Sequence, residues 1–227
     1  MHQQNAVDFI PADESRWFTW LFTPFCRVLF RVGFRQVWLR QLYHPEPGVK
    51  TVYFLNHSSW WDGIIPLMLN QYRFRQQGRA LMEHKQMRRY PFFKKIGAFS
   101  VDPKESRSAV ASMRYALRSM QRPSASLFIY PEGEIVPFST TGLQFKQGIG
   151  WLWEQLPEAD FVPIAISVHT IRSPWPELHI RVGKPVPREK SSSMVSATER
   201  LAEALQKELR ELVSTAGFRD EPYEKWL

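Results

Sequence analysis

From Lys50 onward the chain alternates between short β-rich runs and helical patterns, and that alternation limits the folds open to it. The β-rich runs are Thr51–Leu55, Ala80–Glu83, Ala98–Val101, Ser126–Tyr130, Phe161–Val168 and Leu178–Val182. The helical patterns lie between them, roughly at Gly63–Arg73, Gln86–Ile96, Lys104–Met120 and Gly148–Gln155. Strand followed by helix, repeated, predicts an α/β fold with a central, mostly parallel sheet flanked by helices. Within Ser196–Ala216, Leu201, Leu205, Leu209 and Leu212 recur at helical spacing, and Gly217 stands where a helix cap belongs. This last helix reads as packing, and Ser191–Ser193 as a short linker ahead of it. A length of 227 residues suits one such domain.

The segment Ser15–Leu42 reads differently. Trp17, Phe18, Trp20, Phe22, Phe25, Phe30, Phe34 and Trp38 are punctuated by Arg16, Arg27, Arg31, Arg35 and Arg40. Arg27, Arg31 and Arg35 are four apart and are expected on one helical face. Pro24 is expected to split the run into two short helices. Aromatic bulk beside an arginine ridge suits an interfacial helix, with rings at the headgroup level and guanidinium groups on lipid phosphates. A core helix with a solvated arginine face would look the same. Residues 1–45 are therefore expected to be an N-terminal amphipathic, membrane-associating segment, and 46–227 the main domain.

A net charge of +8 with 16 Phe, 9 Trp and 7 Tyr suggests a surface that meets something anionic, although a basic soluble protein with no charged partner would read the same. Anionic lipid fits the clustered aromatics. Nucleic acid fits less well, because the basic residues are spread along the chain and no nucleic-acid motif occurs. The single cysteine, Cys26, allows no internal disulfide, which favours a reducing compartment. Met1–Pro11 lacks a basic region followed by an apolar run, so it does not read as a signal peptide. No stretch longer than eleven residues avoids Asp, Glu, Lys and Arg, whereas a spanning helix needs roughly 20 apolar residues. A peripheral or monotopic attachment is the expectation.

Two constellations carry chemistry. Asn56-His57-Ser58-Ser59-Trp60-Trp61-Asp62-Gly63 follows directly on the apolar run Thr51–Leu55. Sites in α/β sheets form at the carboxyl ends of strands. An imidazole there can take a proton from a hydroxyl, and a carboxylate on its other nitrogen would orient it. Five residues along a regular helix rotate by about 500°, so His57 and Asp62 would not meet on one continuous helix. They meet if His57 sits in the turn and Asp62 in the first turns of a helix capped by Ser58 or Ser59. The second constellation, Tyr130-Pro131-Glu132-Gly133-Glu134, ends another apolar run. Its turn would bring Glu132 to the same sheet edge. Each constellation also has an ordinary reading, as a helix cap and as a β-turn. Val162-Pro163-Ile164-Ala165-Ile166 says only apolar strand, and its proline predicts an edge or a strand start.

In order, these blocks resemble the lysophospholipid and glycerol-phosphate acyltransferase family. Asn56, His57 and Asp62 match that family's Asn-His, four residues, Asp block. Tyr130, Pro131, Glu132 and Gly133 match part of its Phe-Pro-Glu-Gly-Thr-Arg block, and Val162 and Pro163 its apolar Val-Pro block. Phe145-Lys146-Gln147-Gly148 is also similar, and the likeness runs from about Thr51 to Pro185. The resemblance implies that His57 is the general base and Asp62 its orienting partner. The acceptor hydroxyl would attack an acyl thioester directly, with no acyl-enzyme, so Cys26 is not expected to act. The donor would be acyl-CoA or acyl-carrier protein, with no metal or other cofactor, at the cytoplasmic face of the membrane. Asn56, Glu132 and Gly133 would help bind the acceptor, and Val162 and Pro163 would serve the acyl chain or the core.

The departures bear on the acceptor. Where the family has Thr-Arg, this chain has Glu134-Ile135, and where its second block ends in arginine, this chain has Asp102-Pro103. In the family those arginines hold a phosphate, a task suited to a guanidinium fork. Lys85, Lys104, Arg107 or Lys146 are the candidate replacements. A lipid-like alcohol with a neutral headgroup suits Glu134 better, because a carboxylate accepts hydrogen bonds from hydroxyls. Alternatives are a lipid or thioester hydrolase using the same His/Asp site, and an inactive membrane-binding module.

Overall fold

A computed structural model of the chain describes residues 9–102, 104–188, 193–218 and 222–227. Pro103 and two residues of the expected linker, Ser191 and Ser192, lie outside them, as does most of Met1–Pro11. Eight strands among the described residues form one sheet: β1 (Gln36–Gln41), β2 (Thr51–Leu55), β3 (Gln77–Glu83), β4 (Ala98–Val101), β5 (Ala125–Ile129), β6 (Asp160–His169), β7 (Glu177–Val182) and β8 (Glu224–Lys225). Their order is β4-β3-β5-β2-β6-β7-β1-β8. The five from β4 to β6 run parallel, while β7 and β1 run together in the opposite sense. This is the α/β fold with a mostly parallel, helix-flanked sheet that the alternating pattern predicts.

Both faces are covered, which is why β2, β5 and β6 read as continuous apolar runs. Side chains alternate between two cores. Val52, Phe54, Leu127 and Phe161 meet α5 (Gly148–Gln155) and the leucine stripe of α6 (Met194–Thr215), on the face that also takes Ala116 of α4 (Ser106–Ser119). Tyr53, Leu55, Phe128, Val162 and Ile164 meet Cys26 and Phe30 of α1 (Arg16–Gly33) and Ile65 and Met68 of α2 (Ile65–Leu69).

The N-terminal segment differs from expectation in three ways. Pro24 does not split it: α1 runs unbroken through the proline. The missing N–H costs one intrahelical bond, but residues on both sides of the proline, Thr23, Cys26 and Phe30, bury on one face and hold the helix together. Gln36–Gln41 is a strand, with Val37 and Leu39 turned into the core and the chain paired with β7 and β8. Arg35 therefore lies beyond the helix and off the ridge of Arg27 and Arg31; its side chain meets the Arg172 carbonyl at 3.2 Å and Glu177 at 3.6 Å. Residues 36–41 thus belong to the sheet.

Pro163 lies inside the sheet, not on an edge, since β6 has β2 on one side and β7 on the other. The sheet tolerates it because the β6–β7 ladder begins one residue later, at Ile164 and Val182. The Pro163 carbonyl still accepts from Gly183 N at 2.9 Å, so only the reciprocal bond is lost.

Candidate active site

β2 ends at Leu55, and the chain turns at once through His57 into a 3₁₀ turn, Trp60–Gly63. Ser59 caps that turn, and Asp62 closes the box from its third position. His57 Nδ1 lies 2.9 Å from Asp62 Oδ2. The same oxygen accepts from the N–H groups of Ser58 at 2.8 Å and Ser59 at 2.9 Å, while Oδ1 accepts from the Ser59 hydroxyl at 2.7 Å. Asp62 is fully buried and every bond it makes fixes its aim; His57 is 22% exposed by side chain, so one edge of the ring is open. The two meet because the capped turn reverses the chain between them, as the spacing argument requires.

The segment after β5 grips His57 from the other side. The His57 N–H donates to the Glu132 carboxylate at 3.3 Å, and the His57 carbonyl accepts from Val136 N at 2.9 Å. The Tyr130 ring packs 4.5 Å from the imidazole, and its hydroxyl donates to the Asp62 carbonyl at 2.5 Å. Burial pushes the Tyr130 phenol well above its usual value, with the Asp62 charge adding to the effect, so the hydroxyl stays a donor. Burial also raises the Glu132 carboxyl, and the His57 N–H pulls it back only in part.

Two cavities open at this edge. One, of about 500 Å³, is lined by His57 and the carboxyl ends of β3, β4 and β5, with Met113, Ile149 and Phe93 at its apolar wall. The other, of about 350 Å³, is more polar and is lined by Glu132, Glu134, Ser139, Thr141, Gln144 and Lys146. Glu134 and Lys146 border both. Gly133 has φ of +78°, a backbone conformation that favours glycine, and the Lys146 stem lies against it, 3.2 Å from where a Cβ would stand. The 131–147 segment shows no sequence signal for this second cavity beyond Glu132, Glu134 and Lys146. Its lining comes from an irregular loop without apolar periodicity.

Other expected site residues lie elsewhere. Asn56 is buried and turned into the sheet: its amide donates to the Ile166 carbonyl at 2.9 Å and accepts from Ile166 N at 2.8 Å. It clamps β2 to β6 and does not face the cavity. Lys85 is exposed on α3 (His84–Arg89) and lines neither cavity. Val162 and Pro163 are buried in β6 and line neither cavity either. Trp61, which the sequence offered only as a spacer, ties the site to α1: its ring packs 5.5 Å from Phe30 and 4.7 Å from Phe34. A Cβ on Gly33 would strike that ring at 2.4 Å, so glycine is required there.

A model of the acyltransferase family matches residues 39–167, more than half of the chain, from within β1 to within β6. The chain belongs to the acyltransferase family. Among solved structures it is similar to the 1-acyl-sn-glycerophosphate (LPA) acyltransferase PlsC from Thermotoga maritima, at 15% identity and a TM-score of 0.55, over 87% of this chain and 75% of that one. That likeness is one of fold. No curated protein sequence matches the chain. The protein is thus an acyltransferase, and no described helix is long and apolar enough to cross a membrane.

Proposed function

We propose that the chain moves a fatty acyl group from a thioester, acyl-CoA or acyl-carrier protein, to a hydroxyl of a lipid-like acceptor whose headgroup carries no phosphate. The observation that carries the reading is the 2.9 Å contact between His57 Nδ1 and the buried Asp62 carboxylate at the mouth of an apolar cavity. With Nδ1 held, Nε2 is the nitrogen left to take the acceptor's proton. The acceptor oxygen then attacks the thioester carbon, the carbonyl electron pair moves to oxygen, and the thiolate leaves with the proton that Nε2 returns. Asp62 balances the imidazolium that forms between these steps.

The apolar cavity suits an acyl chain. The polar cavity beside it suits a hydroxyl-bearing headgroup, because Glu132, Glu134, Ser139 and Thr141 offer hydrogen-bond acceptors and lysine is its sole described cation. The outer face of α1 carries Trp17, Trp20, Leu21, Phe25, Val28 and Val32, all exposed, with Arg27 and Arg31 on its flank. An exposed apolar stripe edged with arginine fits a membrane surface, which would place the enzyme peripherally on the cytoplasmic leaflet. An acceptor screen tests the reading. Product esters should form with neutral lipid alcohols, and robust turnover of lysophosphatidate with none of neutral acceptors would end it.

A further inference from the structure

The mechanism above creates a negative charge that the residues so far assigned do not balance. When the acceptor attacks, His57 gains a proton, and Asp62 offsets it. The carbonyl oxygen of the thioester meanwhile becomes an oxyanion inside a cavity walled by Leu81, Ile129, Ile149 and other apolar side chains. In such low-dielectric surroundings an unpaired charge is costly, and an oriented donor aimed at it is correspondingly effective. Glu83 and Glu134 line the same cavity and can only oppose the oxyanion when ionised.

Lys146 is the one lysine or arginine, among the described residues, that lines either cavity. Its side chain is exposed at the cavity rim, and three features place its backbone and stem beside the base. Its backbone N–H is fixed to the Pro131 carbonyl at 2.8 Å, its stem lies against Gly133, and the neighbouring Glu132 carboxylate holds the His57 N–H. The lysine therefore approaches the cavity from the segment that grips the base. Among the described residues it has no ion-pair partner. Lys85, Lys104 and Arg107, the other candidate cations, line neither cavity.

We propose that Lys146 supplies the positive charge that stabilises the oxyanion of the tetrahedral intermediate. The proposal rests on the acyl-transfer reading of the His57 site. As the oxygen of the alcohol bonds to the thioester carbon, the carbonyl π pair moves onto oxygen beside the ammonium. When that pair returns, the C–S bond breaks and the thiolate takes the proton from Nε2. The ammonium keeps its own protons throughout.

The test compares Lys146→Met and Lys146→Arg in the full chain with two donors of the same acyl group. One is acyl-CoA, and the other is the acyl thioester of N-acetylcysteamine, which has the same reacting carbon and no phosphate. The expected result for Lys146→Met is a fall in kcat of about 10²-fold or more with both donors and little change in KM, with partial rescue by arginine. A loss confined to acyl-CoA and seen in KM would make Lys146 a phosphate-binding residue and overturn the proposal. Full activity of Lys146→Met beside an inactive His57→Ala would sink this proposal alone. A fully active His57→Ala would sink the base reading beneath it.

Discussion

The Tyr130 hydroxyl donates to the backbone carbonyl of Asp62 at 2.5 Å while its ring lies 4.5 Å from the His57 imidazole. One side chain thus braces both halves of the base pair, from a strand remote in sequence. Tyr130→Phe keeps the ring contact and leaves the Asp62 carbonyl without that donor. Its expected effects are a stability loss of about 1 kcal/mol or more by thermal melting, and a several-fold lower kcat at unchanged acceptor KM. Unchanged kcat would show that the brace has no part in aiming the base.

Cys26 sits on the buried face of α1, and burial pushes its thiol up to about 12. A thiol so placed is neither a nucleophile nor accessible. In the native protein it should resist maleimide at pH 8 and react after unfolding. Cys26→Ala should keep its turnover, since the mechanism forms no acyl-enzyme.

The outer stripe of α1 is testable without deleting the segment, which would remove β1 from the sheet. Trp20→Ser with Val28→Ser changes two exposed residues and leaves the packed face of Thr23, Cys26 and Phe30 intact. The expected outcome is weaker sedimentation with anionic liposomes at an unchanged melting temperature. Liposome binding equal to that of the unaltered chain would place the membrane contact elsewhere.

Glu132 makes a pH prediction. Its folded carboxyl is raised above the ordinary 4.5 by burial, so between the unfolded and folded values the native state binds more protons. Stability therefore falls as pH rises through that window, and the cost is fully present above it. Glu132→Gln removes the titration. Its melting temperature relative to the parent should increase as pH rises from about 4.5, then level off. A difference that does not depend on pH would contradict the assignment.

The strands around the site were legible because a doubly covered parallel strand is apolar throughout, and β2, β5 and β6 carry that signature. The meeting of His57 and Asp62 was legible from the serine cap between them. β1 was not, because its residues continue an aromatic, arginine-punctuated run with helical character, and its partner β7 is far along the chain. Asn56 and Lys85 mark a second limit. Residue type and spacing place a side chain at the sheet edge, but whether it turns toward the cavity depends on neighbours such as the Ile166 backbone, which claims Asn56. The polar cavity of 131–147 left only Glu132, Glu134 and Lys146 as traces, since an irregular loop has no period to read.

The central claim is that His57 is the base. Steady-state turnover of His57→Ala, measured with an acyl thioester and an acceptor that the unaltered enzyme esterifies, tests it most directly. The account predicts a loss of about 10²-fold or more, in the range typical of a general base, with the melting temperature little changed. Turnover within a factor of about two of the unaltered enzyme would contradict it, because general bases contribute far more than that.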